Sequence, residues 1–379
     1  MKRPNPNIYI ALFLIILFIF SFLTLQAFGA SKAKGFSVSA RSAVLYQPET
    51  GVFLFSKNAE ERLPMASTTK IMTALVALEN AELDEEVIID HRAVGIEGSS
   101  AYLKPDEHLT MEELIYALLL QSANDAAVAI AYHIAGDESG FVDMMNLKAD
   151  ELGLTDTHFE NPHGLDGDEH YTTAKELAII AAKALENDDF YKVVSTYKKS
   201  FCSENRSRTY VNHNKLLKLY DGCIGVKTGF TKKSGRCLVG AAEKDGLTFV
   251  SVTLDAPSDW NDHKTMLDYG YENLECVHLA DSFDHTYEIP ILEGEKDKVC
   301  VSNTLGANVI LNKGEHNVAE HLKLVRFAVA PINEGDKLGE IIYTVDGSEV
   351  ARVSLNACDT VEKRKEKGLI DKILSIFKQ

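Results

Sequence analysis

Leu63-Pro64-Met65-Ala66-Ser67-Thr68-Thr69-Lys70-Ile71-Met72-Thr73-Ala74-Leu75-Val76-Ala77-Leu78 is the stretch around which the rest of the chain can be ordered. From about 67 to 78 it is apolar nearly all round, which predicts a central helix buried on every side. Ser67 opens that helix and Lys70 follows one turn later, so the two side chains share a face. The serine hydroxyl then lies at the positive end of the helix dipole. A serine is a poor nucleophile until a base takes its proton. A lysine in a partly dry site, beside another cation, has a lowered pKa and can be that base. The plainer reading of the same residues is a serine N-cap and a solvated lysine.

Outward from this helix, Ser42-Ala43-Val44-Leu45-Tyr46 and Val52-Phe53-Leu54-Phe55 flank Pro48-Glu49-Thr50-Gly51 and read as a β-hairpin. On the other side, Thr110-Met111-Glu112-Glu113 is a capping box opening a helix to about 121. Helices follow over about 125–135, stopped by Gly136, and 140–152, stopped by Gly153. Thr173 with Glu176 caps another, through about 185. From about 222 the pattern turns to strands, over 223–230, 236–242 and 247–254, followed by a helix over 261–269. The hairpin and these three strands predict an α+β domain with a five-stranded antiparallel sheet. Helices from both ends of the chain would cover one face, and the middle helices would form a separate lobe. Beyond about 276, short strand-like runs over 286–292, 298–301, 307–311, 322–329 and 341–345 predict a small all-β domain. The tail over 367–379 places Leu369, Ile370, Ile373, Leu374, Ile376 and Phe377 against Asp371, Lys372, Ser375 and Lys378. That pattern suits an amphipathic helix in a membrane interface, with packing on the β domain as the alternative. The expected organisation is therefore 1–30 leader, 31–276 catalytic domain, 277–362 β-rich domain and 363–379 membrane-associating helix.

The leader follows from charge. Lys2 and Arg3 are followed by no charged residue until Lys32, and 8–25 is almost wholly apolar. Ala27-Phe28-Gly29 puts small residues where a signal peptidase reads, giving a secretory signal cleaved after Gly29. The run is also long enough to be an uncleaved anchor. Both readings place the body outside the cytoplasm. Across all 379 residues the formal net charge is -17, which argues against nucleic acid as a partner. None of the six cysteines (Cys202, Cys223, Cys237, Cys276, Cys300, Cys358) belongs to a Cys-x-x-Cys pair, so a zinc ribbon is not expected. Outside the cell a disulfide is allowed, but a core this large does not need one, and most of the six read as free, buried thiols.

Three short motifs are informative only together. Ser-x-x-Lys occurs at Ser31, Ser67, Ser195 and Ser375, and Ser-x-Asn at Ser56, Ser122, Ser203 and Ser354. Lys227-Thr228-Gly229 occurs once. Ser31 lies beside the cleavage site, Ser375 in the tail and Ser195 in a polar connecting stretch. Ser67 alone opens a buried helix. Ser122-Ala123-Asn124 falls at a break between two apolar helices, where it is either ordinary punctuation or a second hydroxyl and an amide for a substrate. Lys227 and Thr228 end a predicted strand, whose edge can pair with a peptide backbone and bind a terminal carboxylate. Gly229 would let that backbone come close. A solvated edge charge is the alternative for Lys227.

In this order the motifs resemble those of penicillin-binding proteins and class A β-lactamases. The segment from Leu63 to Leu75, Ser122-Ala123-Asn124-Asp125-Ala126-Ala127, Asn161-Pro162-His163-Gly164-Leu165 with His170-Tyr171-Thr172-Thr173-Ala174, and Gly225-Val226-Lys227-Thr228-Gly229-Phe230-Thr231 resemble the D-alanyl-D-alanine carboxypeptidases. The resemblance runs over roughly 36–273. It implies a serine β-lactamase/transpeptidase-like fold and an attack on the D-Ala-D-Ala bond of peptidoglycan stem peptides. Ser67 would form the acyl-enzyme, with Lys70 as base and Ser122 as proton relay. Asn124 would hold the substrate amide, and Lys227 and Thr228 the terminal carboxylate. The backbone N–H groups of Ser67 and Phe230 would form the oxyanion hole. β-Lactam antibiotics would trap the acyl-enzyme. No metal or cofactor is implied. Phe230 stands where some relatives carry His, and Asp259 falls in a region where some carry an arginine that assists carboxylate binding. Three other readings remain. A β-lactamase would need Glu151-Leu152-Gly153-Leu154-Thr155 to be its deacylation loop, whereas Gly153 reads as a helix stop. The others are a non-catalytic wall- or antibiotic-binding protein and an endopeptidase on the same site.

Overall fold

The computed structural model describes residues 36–203 and 206–365. The leader expected over 1–30, Ser31 and the tail pattern over 367–379 with Ser375 lie outside the described residues.

The first hairpin is β1 (Ser42–Gln47) and β2 (Val52–Lys57), turned at Gly51, whose φ of 70° suits a residue without a Cβ. Helices α1 (Lys70–Asn80), α2 (Met111–Leu120), α3 (Asn124–Ala135), α4 (Glu138–Glu151), α5 (Ala174–Leu185) and α6 (Asp188–Ser195) follow. Next come β3 (Cys223–Thr231), β4 (Gly235–Lys244), β5 (Leu247–Leu254) and α7 (Asp259–Asn273). The five strands form one antiparallel sheet in the order β2-β1-β5-β4-β3. The Lys227 strand is therefore an edge, with one row of backbone groups free for a partner.

Alternation along the strands separates the two faces. Val44, Val250 and Val252 point into a core shared with α1 to α6. Leu45 and Phe249 point the other way, under α7, where Gly270 comes so close that an added Cβ would meet their side chains at 3.0–3.1 Å. Helix α7 thus covers the far face. The middle helices share one continuous core with the near face, where a separate lobe was expected. Every residue of α1 from Lys70 to Ala77 is buried, which accounts for its all-round apolar pattern.

The two capping boxes are half made. Thr110 and Thr173 each accept from the backbone N–H three residues on, at 3.2 and 3.1 Å. The glutamates do not complete the reciprocal bond but are used elsewhere. Glu113 takes Arg206 at 2.6 Å and the Tyr210 hydroxyl at 3.2 Å. Glu176 takes the N–H of Thr155 at 2.9 Å and of Asp156 at 3.0 Å. The stretch holding Ser195 is not a connector: Ser195 ends α6, and a hairpin of Lys198–Ser203 and Arg206–Val211 follows. Arg206 and Arg208 fold that hairpin back onto Glu107, at 3.1 and 2.9 Å.

After α7 the described residues, up to 365, form strands joined by turns and loops, with no helix among them. A six-stranded sheet runs in the order 318–324, 337–345, 348–357, 298–302, 286–292, 328–329, and 274–280 pairs with 307–312. Its apolar side chains, among them Ile289, Val301, Ile341, Tyr343 and Leu355, form a second core of their own. Among the described residues no helix is long and apolar enough to cross a membrane.

Candidate active site

The nucleophile segment is not a plain helix start. Ala66–Thr69 is a 3-10 turn entered at Ala66 with φ 48°, and α1 begins only at Lys70. A left-handed non-glycine residue costs energy and needs support from its surroundings. That support comes from the loop after α4. Gly164 packs against the Ala66 carbonyl so tightly that no Cβ fits there, and its own φ is 87°. Thr69 Oγ1 donates to the Ala66 carbonyl at 2.8 Å and faces His170 Nε2 at 2.7 Å. Burial pulls the His170 pKa down to about 4, so the ring is neutral. Its Nδ1 accepts from Glu160 N at 3.0 Å, which leaves the proton on Nε2 to donate to Thr69. The 161–165 and 170–174 segments thus brace the turn that presents Ser67.

Lys70 is completely buried. Its Nζ lies 3.1 Å from Ser67 Oγ and 2.6 Å from Asn124 Oδ1, and donates to the His163 carbonyl. Those oxygens are neutral, so the charge has little to offset its lost hydration. Burial, and then the nearby charge of Lys227, push its pKa well below the ordinary lysine value. With Lys70 neutral, the 3.1 Å contact runs the other way, Ser67 Oγ–H donating to Nζ, which is the geometry proton abstraction requires.

Lys227 is also buried, and burial brings its pKa down to about 7. Its Nζ donates to Ser122 Oγ at 3.0 Å and to the Thr228 carbonyl at 2.8 Å. Ser122 has φ 61°, a kinked link between α2 and α3 that points its hydroxyl at this ammonium. Gly229 makes the approach of the edge strand possible: an added Cβ there would meet Ser67 N at 3.0 Å and Met65 O at 3.1 Å.

These groups surround a cleft of about 360 Å³ lined by Ser67, Ser99, Ser122, Thr228, Gly229 and Phe230, and further out by His213, Lys215, Arg236 and Trp260. Of the residues picked from the sequence, Ser67, Ser122, Thr228, Gly229 and Phe230 lie on its wall. Lys70 and Lys227 stand just behind. Asn124 is buried beneath, its Oδ1 on Lys70 and its Nδ2 donating to the Glu97 carbonyl. Ser99 is held in place by Asp125, whose carboxylate takes Ser100 Oγ at 2.6 Å and the N–H groups of Ala101 and Leu103 at 2.9 and 3.1 Å.

Ser99, His213, Lys215, Arg236 and Trp260 line the wall without having been singled out in the sequence, and Arg236 is the one held by a buried carboxylate. Arg236 stands opposite Phe230 across the β3–β4 register and is partly exposed to the cleft. Asp259, at the start of α7, grips it at 2.8–3.0 Å through two nitrogens. The aspartate found where relatives can carry an arginine thus anchors an arginine supplied by a neighbouring strand. Among the described residues, no group of three His, Cys, Asp or Glu side chains is placed to hold a metal ion.

The family model for D-alanyl-D-alanine carboxypeptidase (Peptidase_S11) matches residues 27–258. The D-alanyl-D-alanine carboxypeptidase DacF of Bacillus subtilis is 34% identical over 336 residues, 86% of each chain. The crystal structure of penicillin binding protein 5 from Haemophilus influenzae superposes with a TM-score of 0.66 at 27% identity, covering 87% of this chain and 99% of that one. A point mutant of the Streptomyces K15 DD-transpeptidase matches with a TM-score of 0.60 at 33% identity, over 62% of this chain and 99% of that one.

Proposed function

The chain belongs to the D-alanyl-D-alanine carboxypeptidase family, and from that premise we infer which of its residues perform each step. The activity is that of a serine D-Ala-D-Ala carboxypeptidase, which removes the terminal D-alanine of peptidoglycan stem peptides through an acyl-enzyme and binds penicillin. Action on peptidoglycan, together with the leader pattern over 1–30, supports a location outside the cytoplasm.

Ser67 is the nucleophile and Lys70 its base. The observation that carries this assignment is the fully buried Lys70 amino group, 3.1 Å from Ser67 Oγ and bonded otherwise to neutral oxygens that do not hold a proton on it. Ser67 Oγ attacks the carbonyl of the penultimate D-alanine and its proton passes to Lys70 Nζ. The tetrahedral oxyanion is received by the N–H groups of Ser67 and Phe230. Collapse breaks the peptide bond, and Ser122 Oγ, held at 3.0 Å by Lys227, relays a proton to the departing amine. Water then attacks the ester and releases the shortened peptide.

Lys227 and the Thr228 hydroxyl take the substrate's free carboxylate, and Arg236 adds a second cation in the outer wall of the same cleft. Asn124 orients Lys70 and offers its remaining amide valences to the substrate. The edge of β3 receives the peptide backbone as an added strand. Residues 277–362 act as a small all-β domain outside the cleft. Export by 1–30 and membrane attachment by 363–379 rest on the sequence patterns given above, and sedimentation with anionic vesicles tests the attachment.

The first test is D-alanine release from diacetyl-Lys-D-Ala-D-Ala, beside Ser67→Ala. Release that vanishes in the variant is expected. Absent release, with penicillin still acylating Ser67, would move the substrate to another peptide, a cross-linked one included.

A further inference from the structure

Cys300 and Cys358 face each other on the second sheet, and their surroundings differ from those of Cys202 and Cys237. Strands Lys298–Ser302 and Ser348–Ala357 run antiparallel, with Val301 opposite Ala357 and Ser302 opposite Asn356. The same register continued by one residue sets Cys300 opposite Cys358, and Cys358 N donates to the Cys300 carbonyl at 2.9 Å. Directly opposite residues of this hydrogen-bonded kind have Cα atoms about 5.5 Å apart, inside the range of roughly 4.4–6.8 Å that a disulfide spans. The side chains point the same way: the two Sγ atoms are 3.3 Å apart. Cys358 is exposed and Cys300 partly so, so an oxidant can reach the pair. Cys237, by contrast, is buried and directed at the Pro64 and Ser234 carbonyls, and Cys202 faces the Ser207 hydroxyl.

We propose that Cys300 and Cys358 form a disulfide in the exported enzyme, fastening the end of the last long strand to the middle of the second sheet. The location rests on the extracytoplasmic reading above; the geometry does not. In the step, each thiol gives up a proton and the pair gives up two electrons. One S–S bond forms, and a small-molecule or protein disulfide acting as oxidant is cleaved to two thiols. The bond closes the loop between residues 300 and 358. Cys358 is followed at once by the bridges Ile332–Val361 and Gly294–Lys363, which bind the chain end to this sheet. A staple here holds that end in register.

The test uses the full chain, exposed to oxidised glutathione, quenched with an alkylating agent and mapped by mass spectrometry. On the same sample, D-alanine release is assayed and the melting temperature is read with and without dithiothreitol. The expected result is a linked Cys300–Cys358 peptide pair, four alkylated thiols in denaturant, and a melting temperature that dithiothreitol lowers. Cys300→Ser/Cys358→Ser should release D-alanine normally and melt at one temperature with or without the reductant. Six alkylated thiols in an active enzyme, or Cys300 linked to any other cysteine, would overturn the proposal while leaving the carboxypeptidase reading intact. Loss of D-alanine release with the linked peptide present would do the reverse.

Discussion

Lys70 and Lys227 at the cleft and Lys298 and Arg352 on the second sheet carry the same sign of charge in opposite surroundings. The first two are buried, and the oxygens they are bonded to are neutral. The second two lie in solvent and grip carboxylates, Lys298 reaching Glu288 at 2.7 Å and Arg352 reaching Glu349 at 2.9 Å and Glu340 at 2.8 Å. Burial pulls the cleft lysines' pKa values down. Hydrogen bonds donated to Glu288 and Glu349 push those of Lys298 and Arg352 up. An amine that must exchange a proton near neutral pH during a reaction is useful only in the first setting. The largest expected effects therefore lie there. Ser67→Ala and Lys70→Ala should each lower penicillin acylation by about 10⁴-fold or more. Lys70→Arg keeps the charge but cannot release the proton, so it should be as inactive as the alanine variant. Acylation by Lys70→Arg at the native rate would break the contrast, because it would mean that a fixed charge suffices.

Lys227 sharpens it through pH. Its role requires the charged form, and in the free enzyme that form is lost as pH rises through about 7. Lys70 must be neutral, so activity also falls on the acid side. A bell-shaped kcat/KM profile follows, its alkaline limb belonging to Lys227. Lys227→Gln should lower kcat/KM by about 10²–10³-fold and remove that limb. Stability runs the opposite way to the alkaline limb. Between about 7 and the ordinary 10.5, the unfolded chain binds a proton at Lys227 that the folded chain does not, so stability rises with pH across that window. Below it the cost of burying the charge is fully present, on the order of 5 kcal/mol. Lys227→Met should accordingly raise the melting temperature, and raise it more in acid than in alkali. A uniform change at every pH would show that Lys227 is not titrating in the fold.

Arg236 stands between the two settings: half in solvent, yet gripped by a buried carboxylate. Arg236→Ala should cost about ten-fold in kcat/KM, about 1.4 kcal/mol, and mostly through KM. A substrate whose terminal carboxylate is replaced by an amide should be indifferent to the substitution. Equal losses on both substrates would make Arg236 a support for α7 and not part of carboxylate binding.

The parts of this site that could be read in advance were those where short-range chemistry dictates residue type. Ser67 and Lys70 are one turn apart, Ser122 and Asn124 sit at a helix break, and Gly229 is needed where two backbones nearly touch. The strands of the main sheet were legible because one face is buried and the alternation is clean. What escaped notice depends on register. Arg236 reaches the cleft only because β4 pairs with β3 so that it opposes Phe230. The bracing of Ala66 by Gly164 and of Thr69 by His170 joins residues about a hundred positions apart. The 198–211 hairpin was hidden by its own lysines and arginines, which read as a solvated connector until Glu107 and Glu113 are seen to receive two of them. The capping boxes were half right for the same reason: both glutamates had more distant partners.

The smallest predicted effect completes the contrast. Lys298 and Glu288 touch at 2.7 Å, a closer approach than Lys70 makes to Ser67 at 3.1 Å, yet both partners of the surface pair are mostly exposed. Water solvates each charge well when they part, salt screens their attraction, and holding two long side chains in one geometry costs rotamer freedom. Distance alone would rank the surface pair first, whereas burial ranks it last. Lys298→Ala should leave the melting temperature and D-alanine release unchanged, and added salt should not separate variant from parent. The pair does bridge neighbouring strands, 286–292 and 298–302. A clear fall in melting temperature at low salt, absent at high salt, would therefore mean that the second sheet leans on its surface charges because its own core is small. In that case the two regions would differ in degree of burial rather than in what their cations are for.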